Sequence, residues 1–162
     1  GMGAPAIDQH DLPVPPPDDR ETSYIGWPNF HSGANGDFQE VEAAAPMHPV
    51  MREVRYLPAH PHEGAVVAPK SDPSARVIAT GKSLASGQRF NIAVAFEPSA
   101  GAGPAIAEST FHHFADYNWD PRRGSPDFVT EAPGGSLPNT PRAMASVHRY
   151  VQNVALWLGG RL

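Results

Sequence analysis

The chain has 162 residues, with 12 lysines and arginines against 17 aspartates and glutamates, which gives a formal net charge of −5. Nucleic-acid-binding domains usually carry clustered cations, and here only Arg122 and Arg123 are adjacent, so we expect no nucleic-acid partner. No apolar run approaches the roughly 18 residues of a membrane span, and the amino terminus lacks the basic and then apolar layout of a secretory signal, so we expect no membrane partner.

The sequence contains no cysteine. This excludes disulfides, thiolate metal sites and a cysteine nucleophile together. It also fits a reducing compartment, and on this basis we predict a cytoplasmic location.

Residues 1–19 are predicted to form a proline-rich amino-terminal arm, because Leu12–Pro17 favours polyproline II. Residues 20–162 are predicted to form a single α/β domain. Its first part lacks a clear period but contains Trp27 and Phe30, so it is interpreted as an ordered loop.

Five segments have the composition of β-strands, and the two strongest are apolar enough to lie in a sheet that is covered on both faces. The five are residues 54–57, 65–68, 76–80, 90–96 and 104–110. Residues 40–45 are predicted to form a helical turn, and residues 121–138 a long loop, which is often a functional feature.

The clearest helix is predicted to begin after Thr140, a suitable N-cap, with Pro141 at its first position, and to end at Gly159–Gly160. Its apolar stripe should pack on the sheet. The stripe comprises Ala143, Val147, Val151, Val154 and Leu158, with Met144 and Tyr150 alongside.

The densest concentration of chemically active residues is the stretch 108–120, which follows the last predicted strand. It combines two adjacent histidines, three acids, an amide and four aromatic residues. Polar groups just past the carboxyl end of a strand are where open α/β sheets place their chemistry. We therefore predict a site here, with Glu108, Asp116, Tyr117 and Trp119 as ligand-binding candidates.

A second group, His60, His62 and Glu63, lies in a proline-rich segment, and in an extended chain the two histidines point to the same side. Imidazoles with a carboxylate suit zinc, iron or manganese, so a divalent metal is one interpretation, with His60, His62 and His113 (or His112) as candidate ligands. No His-Glu-x-x-His signature supports it.

An acid/base interpretation pairs His112 or His113 with an orienting carboxylate from Glu63 or Glu108. The local nucleophiles would then be Ser109 and Thr110, since no Gly-x-Ser-x-Gly elbow is present. The alternative is that these histidines are hydrogen-bonded anchors of their loops, beneath Tyr117 and Trp119.

Taken together, the motifs Leu57-Pro-Ala-His-Pro-His-Glu-Gly64 and Glu108-Ser-Thr-Phe-His-His-Phe114, with His48-Pro49 and Arg76-Val-Ile-Ala-Thr80, resemble the carboxyl-terminal part of class I glutamine-amidotransferase-like proteins. The closer likeness is to their ThuA-like (trehalose-utilisation) relatives. The resemblance covers roughly residues 46–160. It implies a flavodoxin-like, mixed and mostly parallel sheet, and it places the family's catalytic histidine at His112.

The chain departs from this family in two respects. It has no nucleophilic cysteine, and no βα units precede residue 46, so the expected fold is a truncated one. A sheet edge would then need cover, from a homo-oligomer or a partner chain.

Three functions follow from the sequence. The first is a ThuA-like domain that binds a small polar ligand such as a sugar derivative, with His112, His113 and Glu63 at its centre and His60 and His62 beside them. The second is a metal- or serine-assisted hydrolase that uses His112 as its base. The third is a non-catalytic subunit that completes a sheet with another chain.

Overall fold

The fold is taken from a computed structural model that describes residues 24–25, 31–84 and 87–162, apart from the side chains of Tyr24, Ile25 and Phe111. The predicted proline-rich arm, Trp27 and Phe30 lie outside the described residues. The strands are β1 (Tyr24–Ile25), β2 (Phe38–Glu40), β3 (Glu42–Ala43), β4 (Tyr56–Pro58), β5 (Gly64–Ala65), β6 (Ala75–Lys82), β7 (Arg89–Phe96) and β8 (Ala105–Glu108). The helices are α1 (Asp116–Trp119) and α2 (Pro141–Leu158), with short 3-10 turns at Pro49–Met51, Phe111–Phe114 and Pro121–Arg123.

The strands form a main sheet in the order β3-β6-β7-β8 and two small pairs, β1-β5 and β2-β4. The predicted combination of strands with a carboxyl-terminal helix is confirmed. The predicted mostly parallel sheet is wrong, because all of the described pairs are antiparallel. The connections that follow β6 and β7 are shorter than the dozen or so residues that a parallel crossover needs. Burial on both faces explains the apolar content of β7 without parallel pairing.

Residues 40–45 form no helical turn, so that prediction is wrong. β2 and β3 flank the buried Val41 instead, and the two strands pair with different neighbours. Switching from one sheet to the other at Val41 needs an extended backbone. A single apolar residue at this position gives no periodic signal.

The carboxyl-terminal helix α2 matches the prediction in extent, beginning at Pro141 after Thr140 and ending at Leu158 before Gly159. Its buried face differs from the predicted stripe, since Val151 and Val154 are only partly buried and Leu158 is exposed. The buried residues are Ala143, Ser146, Val147, Tyr150, Asn153 and Trp157. No described helix is long and apolar enough to cross a membrane.

Two polar residues lie on the buried face of α2 because they form hydrogen bonds with backbone groups of residues 50–56. Ser146 Oγ accepts from the amides of Arg55 and Tyr56 at 2.9 and 2.8 Å. Asn153 Nδ2 donates to the carbonyls of Val50 and Arg52 at 3.0 and 2.9 Å. A buried backbone group without a partner costs about 1–3 kcal/mol, so these polar side chains stabilise the packed helix.

The long loop between α1 and α2 is fixed near its end by one carboxylate. Asp37 Oδ1 accepts from the amides of Gly135 and Ser136 at 3.2 and 3.1 Å and from the Ser136 hydroxyl at 2.7 Å. A Cβ atom at Gly134 would collide with the same carboxylate. The loop therefore closes onto the body of the protein at residues 134–136.

Candidate functional site

The end of β8 turns sharply at Thr110, which caps the 3-10 turn Phe111–Phe114. The Thr110 Oγ1 atom accepts from the amide of His112 at 3.2 Å. The turn sends the two adjacent histidines into different surroundings. His113 is buried, with 1% of its surface exposed, whereas His112 is half-buried.

His113 lies between two carboxylates, and we call Glu63, His113 and Glu108 the buried triad. His113 Nε2 is 3.6 Å from Glu63 Oε1, and His113 Nδ1 is 3.5 Å from Glu108 Oε2. The side chains of His113 and Glu63 are fully buried, and that of Glu108 is 10% exposed. The structure therefore brings together three of the predicted site residues.

Three further residues, which the sequence analysis did not place at the site, hold the carboxylates of the triad. Ser32 Oγ and Gln39 Nε2 donate to Glu63 Oε1 at 2.5 and 2.7 Å. The Tyr150 hydroxyl donates to Glu108 Oε1. Tyr150 lay beside the predicted helix stripe, but no sequence signal marks Ser32 or Gln39 as neighbours of Glu63.

The electrostatics of the triad determine the charge of His113. Burial opposes the charged imidazolium, but the carboxylates of Glu108 and Glu63 outweigh this and raise the pKa of His113 to about 9. His113 is therefore protonated at neutral pH and has no capacity to accept a proton as a general base. Burial, together with Glu108, also raises the pKa of Tyr150 well above its ordinary value.

Beside the triad lies a second group, which we call the histidine cluster: His60, His62, His112, Tyr117 and Glu131. His60 and Tyr117 are buried, and the other three are half-buried. The rings of His60 and His112 stack with their centroids 4.0 Å apart and their planes 14° from parallel. His62 Nε2 is 2.5 Å from Glu131 Oε1, and the ring of Tyr117 meets His112 edge-on at 6.2 Å.

The imidazoles of His60 and His112 are uncharged at neutral pH. Burial, and then the neighbouring His112, lower the pKa of His60 to about 3. Burial, and then the charges of His113 and His62, lower the pKa of His112. Burial disfavours the charged form of each ring, and the nearby histidines add to this effect, so both imidazoles remain neutral.

Of the other three members, Glu131, which His62 contacts, supplies a charge, and Tyr117 supplies a hydroxyl. The hydrogen bond from His62 lowers the pKa of Glu131. Tyr117 is 5% exposed, and its buried hydroxyl forms no hydrogen bond with any residue that the structure describes. Burial and the nearby Glu131 raise the pKa of Tyr117. The cluster thus presents neutral imidazoles, one carboxylate and a phenol that has a proton to donate.

The remaining predicted ligand-binding residues lie apart from these contacts. Asp116 is exposed at the start of α1. The indole of Trp119 donates to the His113 carbonyl at 2.7 Å and packs against Leu137, Ala143 and Val147 of the core. Trp119 therefore supports the turn from beneath.

The predicted metal ligands His60, His62 and His113 are not assembled into one group. Within the described residues, no set of three or more histidines, aspartates or glutamates is arranged to hold a metal ion. His113 directs both of its ring nitrogens at the carboxylates of the triad and not towards His60 and His62. The metal interpretation used the alternation of side chains in an extended segment, and that rule does not apply to His113, which lies in a 3-10 turn.

Two surface cavities, of about 610 and 600 Å³, lie elsewhere on the molecule. The first borders Lys70, Arg76 and Asn91, and the second borders Glu97, Trp157 and Leu158. Neither includes a residue of the triad or of the histidine cluster. The chemically distinctive residues and these concave surfaces are therefore separate features.

Comparisons with known proteins assign no family to this chain. No protein-family model matches it, and neither the curated proteins nor the solved structures include a significant match.

Proposed function

We propose that this chain is a ThuA-like domain without amidotransferase activity, and that it binds a small, uncharged, polyhydroxylated ligand at the histidine cluster. The observation that carries the proposal is the stacked, neutral pair His60 and His112 beside the hydroxyl of Tyr117, which is buried and has no hydrogen-bond partner among the described residues. The two segments that carry the family resemblance, residues 58–64 and 108–114, meet in the fold at this pair, which supports the assignment.

The chemistry of the cluster suits hydroxyl groups. His60 Nδ1 is engaged by the His62 backbone and His112 Nδ1 by the Thr110 hydroxyl, so each neutral ring has at most its Nε2 for a ligand. A carboxylate adds acceptors only, and a phenol offers a donor and an acceptor. Neighbouring hydroxyls of a sugar can satisfy such a set simultaneously. Glu131 supplies a negative charge and the five cluster residues include no lysine or arginine, so the cluster favours neutral sugars over sugar acids.

Isothermal titration calorimetry tests this proposal with neutral mono- and disaccharides and the corresponding sugar acids. We expect a neutral sugar to bind, and His112→Ala to weaken that binding at least tenfold, about 1.4 kcal/mol. His148→Ala is the matched control, since His148 is an exposed histidine on α2. Absence of binding by every neutral sugar contradicts the proposal.

A hydrolase is the second candidate, and one distance favours it. Thr110 Oγ1 is 3.0 Å from His112 Nδ1, within the reach of a hydroxyl nucleophile and its base. In such a reaction the hydroxyl oxygen attacks the carbonyl carbon of an ester while its proton passes to His112. The bond to the leaving alkoxide or phenolate then breaks, His112 returns the proton to that oxygen, and water hydrolyses the acylated threonine. Thr110 also caps the 3-10 turn, which accounts for the same contact without catalysis.

Hydrolysis of p-nitrophenyl acetate separates the two roles of Thr110. If the hydroxyl is a nucleophile, Thr110→Val abolishes turnover and Thr110→Ser retains it. If the wild-type rate does not exceed that of free imidazole at the same concentration, the hydrolase is rejected.

The partner chain is proposed on the basis of β8. Among the described strands β8 pairs only with β7, so its other edge presents backbone groups without a strand partner. We propose that a second copy covers this edge. Light scattering should then give the mass of a dimer, and a monomer at high concentration rejects the arrangement.

A further inference from the structure

The buried triad joins two segments that contribute to the histidine cluster. The segment at residues 58–64 supplies His60 and His62 to the cluster and Glu63 to the triad. The 3-10 turn supplies His112 to the cluster and His113 to the triad. Glu63 and His113 are thus immediate chain neighbours of cluster residues.

Both carboxylates of the triad are fixed from the rest of the fold. Glu63 is held by Ser32 and Gln39, and Glu108 by Tyr150 of α2. Among the described residues, His113 lies between both carboxylates, so it connects Glu63 to the turn. Removing its positive charge would leave two buried carboxylates facing each other, which separates the segments or draws in water.

We propose that His113 is a positioning residue that clamps residues 58–64 to the turn Phe111–Phe114 and thereby sets the stacking of His60 on His112. The inference rests on the proposed function for its consequence in ligand binding. The stacking itself is measured without any ligand, so the two ideas fail separately.

Nuclear magnetic resonance of protein labelled at histidine tests the clamp through the ring signals of His60 and His112. The wild type should show inter-ring contacts between these two residues. We expect His113→Gln to abolish them and to displace both sets of ring signals. His148→Gln, the exposed control, should leave them unchanged.

A second substitution tests whether His113 acts through its positive charge or through the space that its ring fills. In the double variant Glu108→Gln with His113→Gln, one of the two opposed carboxylates is neutral, so the inter-ring contacts should return in part. If His113 merely fills space, the second change brings no recovery, which overturns the proposal.

If the His113→Gln variant does not fold, the Glu63→Gln variant tests the same proposal. It preserves shape and removes one of the two charges that hold the imidazolium, so we expect displaced ring signals for His60 and His112. Unchanged stacking in a folded Glu63→Gln protein also overturns the clamp.

Discussion

His112 and His113 are adjacent in the chain and opposite in their electrostatics. His113 is buried between two carboxylates and carries a proton at neutral pH. His112 is half-buried against another imidazole and is uncharged. Histidine thus acts as a buried cation at position 113 and as a neutral hydrogen-bonding group at position 112.

The difference shows that the charged groups next to a buried histidine decide whether its imidazole is protonated. Burial alone disfavours the charged form and lowers the pKa, as it does for His112. At His113 the same effect is outweighed by Glu108 and Glu63. The sequence predicts His112 as a base, and of the two residues His112 is the one left with the capacity to accept a proton.

Substitution of the two histidines should produce the largest difference in the free energy of unfolding. We expect His113→Gln to lower the free energy of unfolding by about 3–5 kcal/mol, because it leaves buried carboxylates uncompensated. His112→Gln should cost less than about 1.5 kcal/mol, since it removes a neutral, half-buried ring. Urea denaturation followed by circular dichroism measures both, and equal losses would contradict the contrast.

The pH dependence of stability should reveal the charge of His113. Its pKa is about 9 in the fold against 6.5 when unfolded, so its contribution is fully present below pH 6.5. That contribution, about 3 kcal/mol, should disappear progressively as the pH rises from 6.5 to 9. Urea midpoints across this range provide the measurement, and His113→Gln should lack this pH-dependent loss.

A smaller effect is expected from the donor that holds Glu108. Tyr150→Phe preserves the buried ring and removes the hydroxyl that donates to Glu108. We expect a loss of about 1–3 kcal/mol, because a charged acceptor loses its hydrogen bond in a buried setting. Thermal unfolding measures it, and a stability equal to the wild type would show that another donor replaces the hydroxyl.

The smallest effect should come from an ion pair in the histidine cluster. Glu131 and His62 are both partly exposed, and exposed ion pairs contribute up to about 1 kcal/mol. We therefore expect Glu131→Gln to change stability by less than about 1 kcal/mol, and high salt to reduce the difference further. A loss as large as that of His113→Gln would show that the histidine cluster is also a structural centre.

The elements that the sequence predicts well are those with strong local signals. The extent of α2 follows from Thr140, Pro141 and Gly159, and β6 and β7 follow from their β-branched and aromatic content. The face of α2 is less predictable, because Ser146 and Asn153 are buried through hydrogen bonds to backbone groups distant in sequence. Hydropathy assigns such residues to the surface.

At the candidate site, too, features that depend on neighbouring residues were predicted better than features that depend on residues distant in the chain. The sequence predicted a site from two segments dense in polar and aromatic residues, and the structure brings the rings of His60, His112 and Tyr117 into contact. The sequence named Glu108 and Glu63 as partners for either histidine, but the charge state of His113 was not predictable, because it depends on both carboxylates flanking this one ring in the fold. Strand direction escaped prediction for a similar reason, since apolar content reports burial and carries no directional information.

The anchoring of the long loop by Asp37 has a consequence for protein engineering. Residues 134–136 are tied to Asp37 and leave no room for a side chain at Gly134. The earlier part of the loop, residues 124–128, has neither helix nor strand, and Phe128 is 76% exposed. A peptide tag or a fluorescent reporter would therefore be accommodated between Ser125 and Pro126, and the same insertion after Gly134 would detach the loop that carries Glu131.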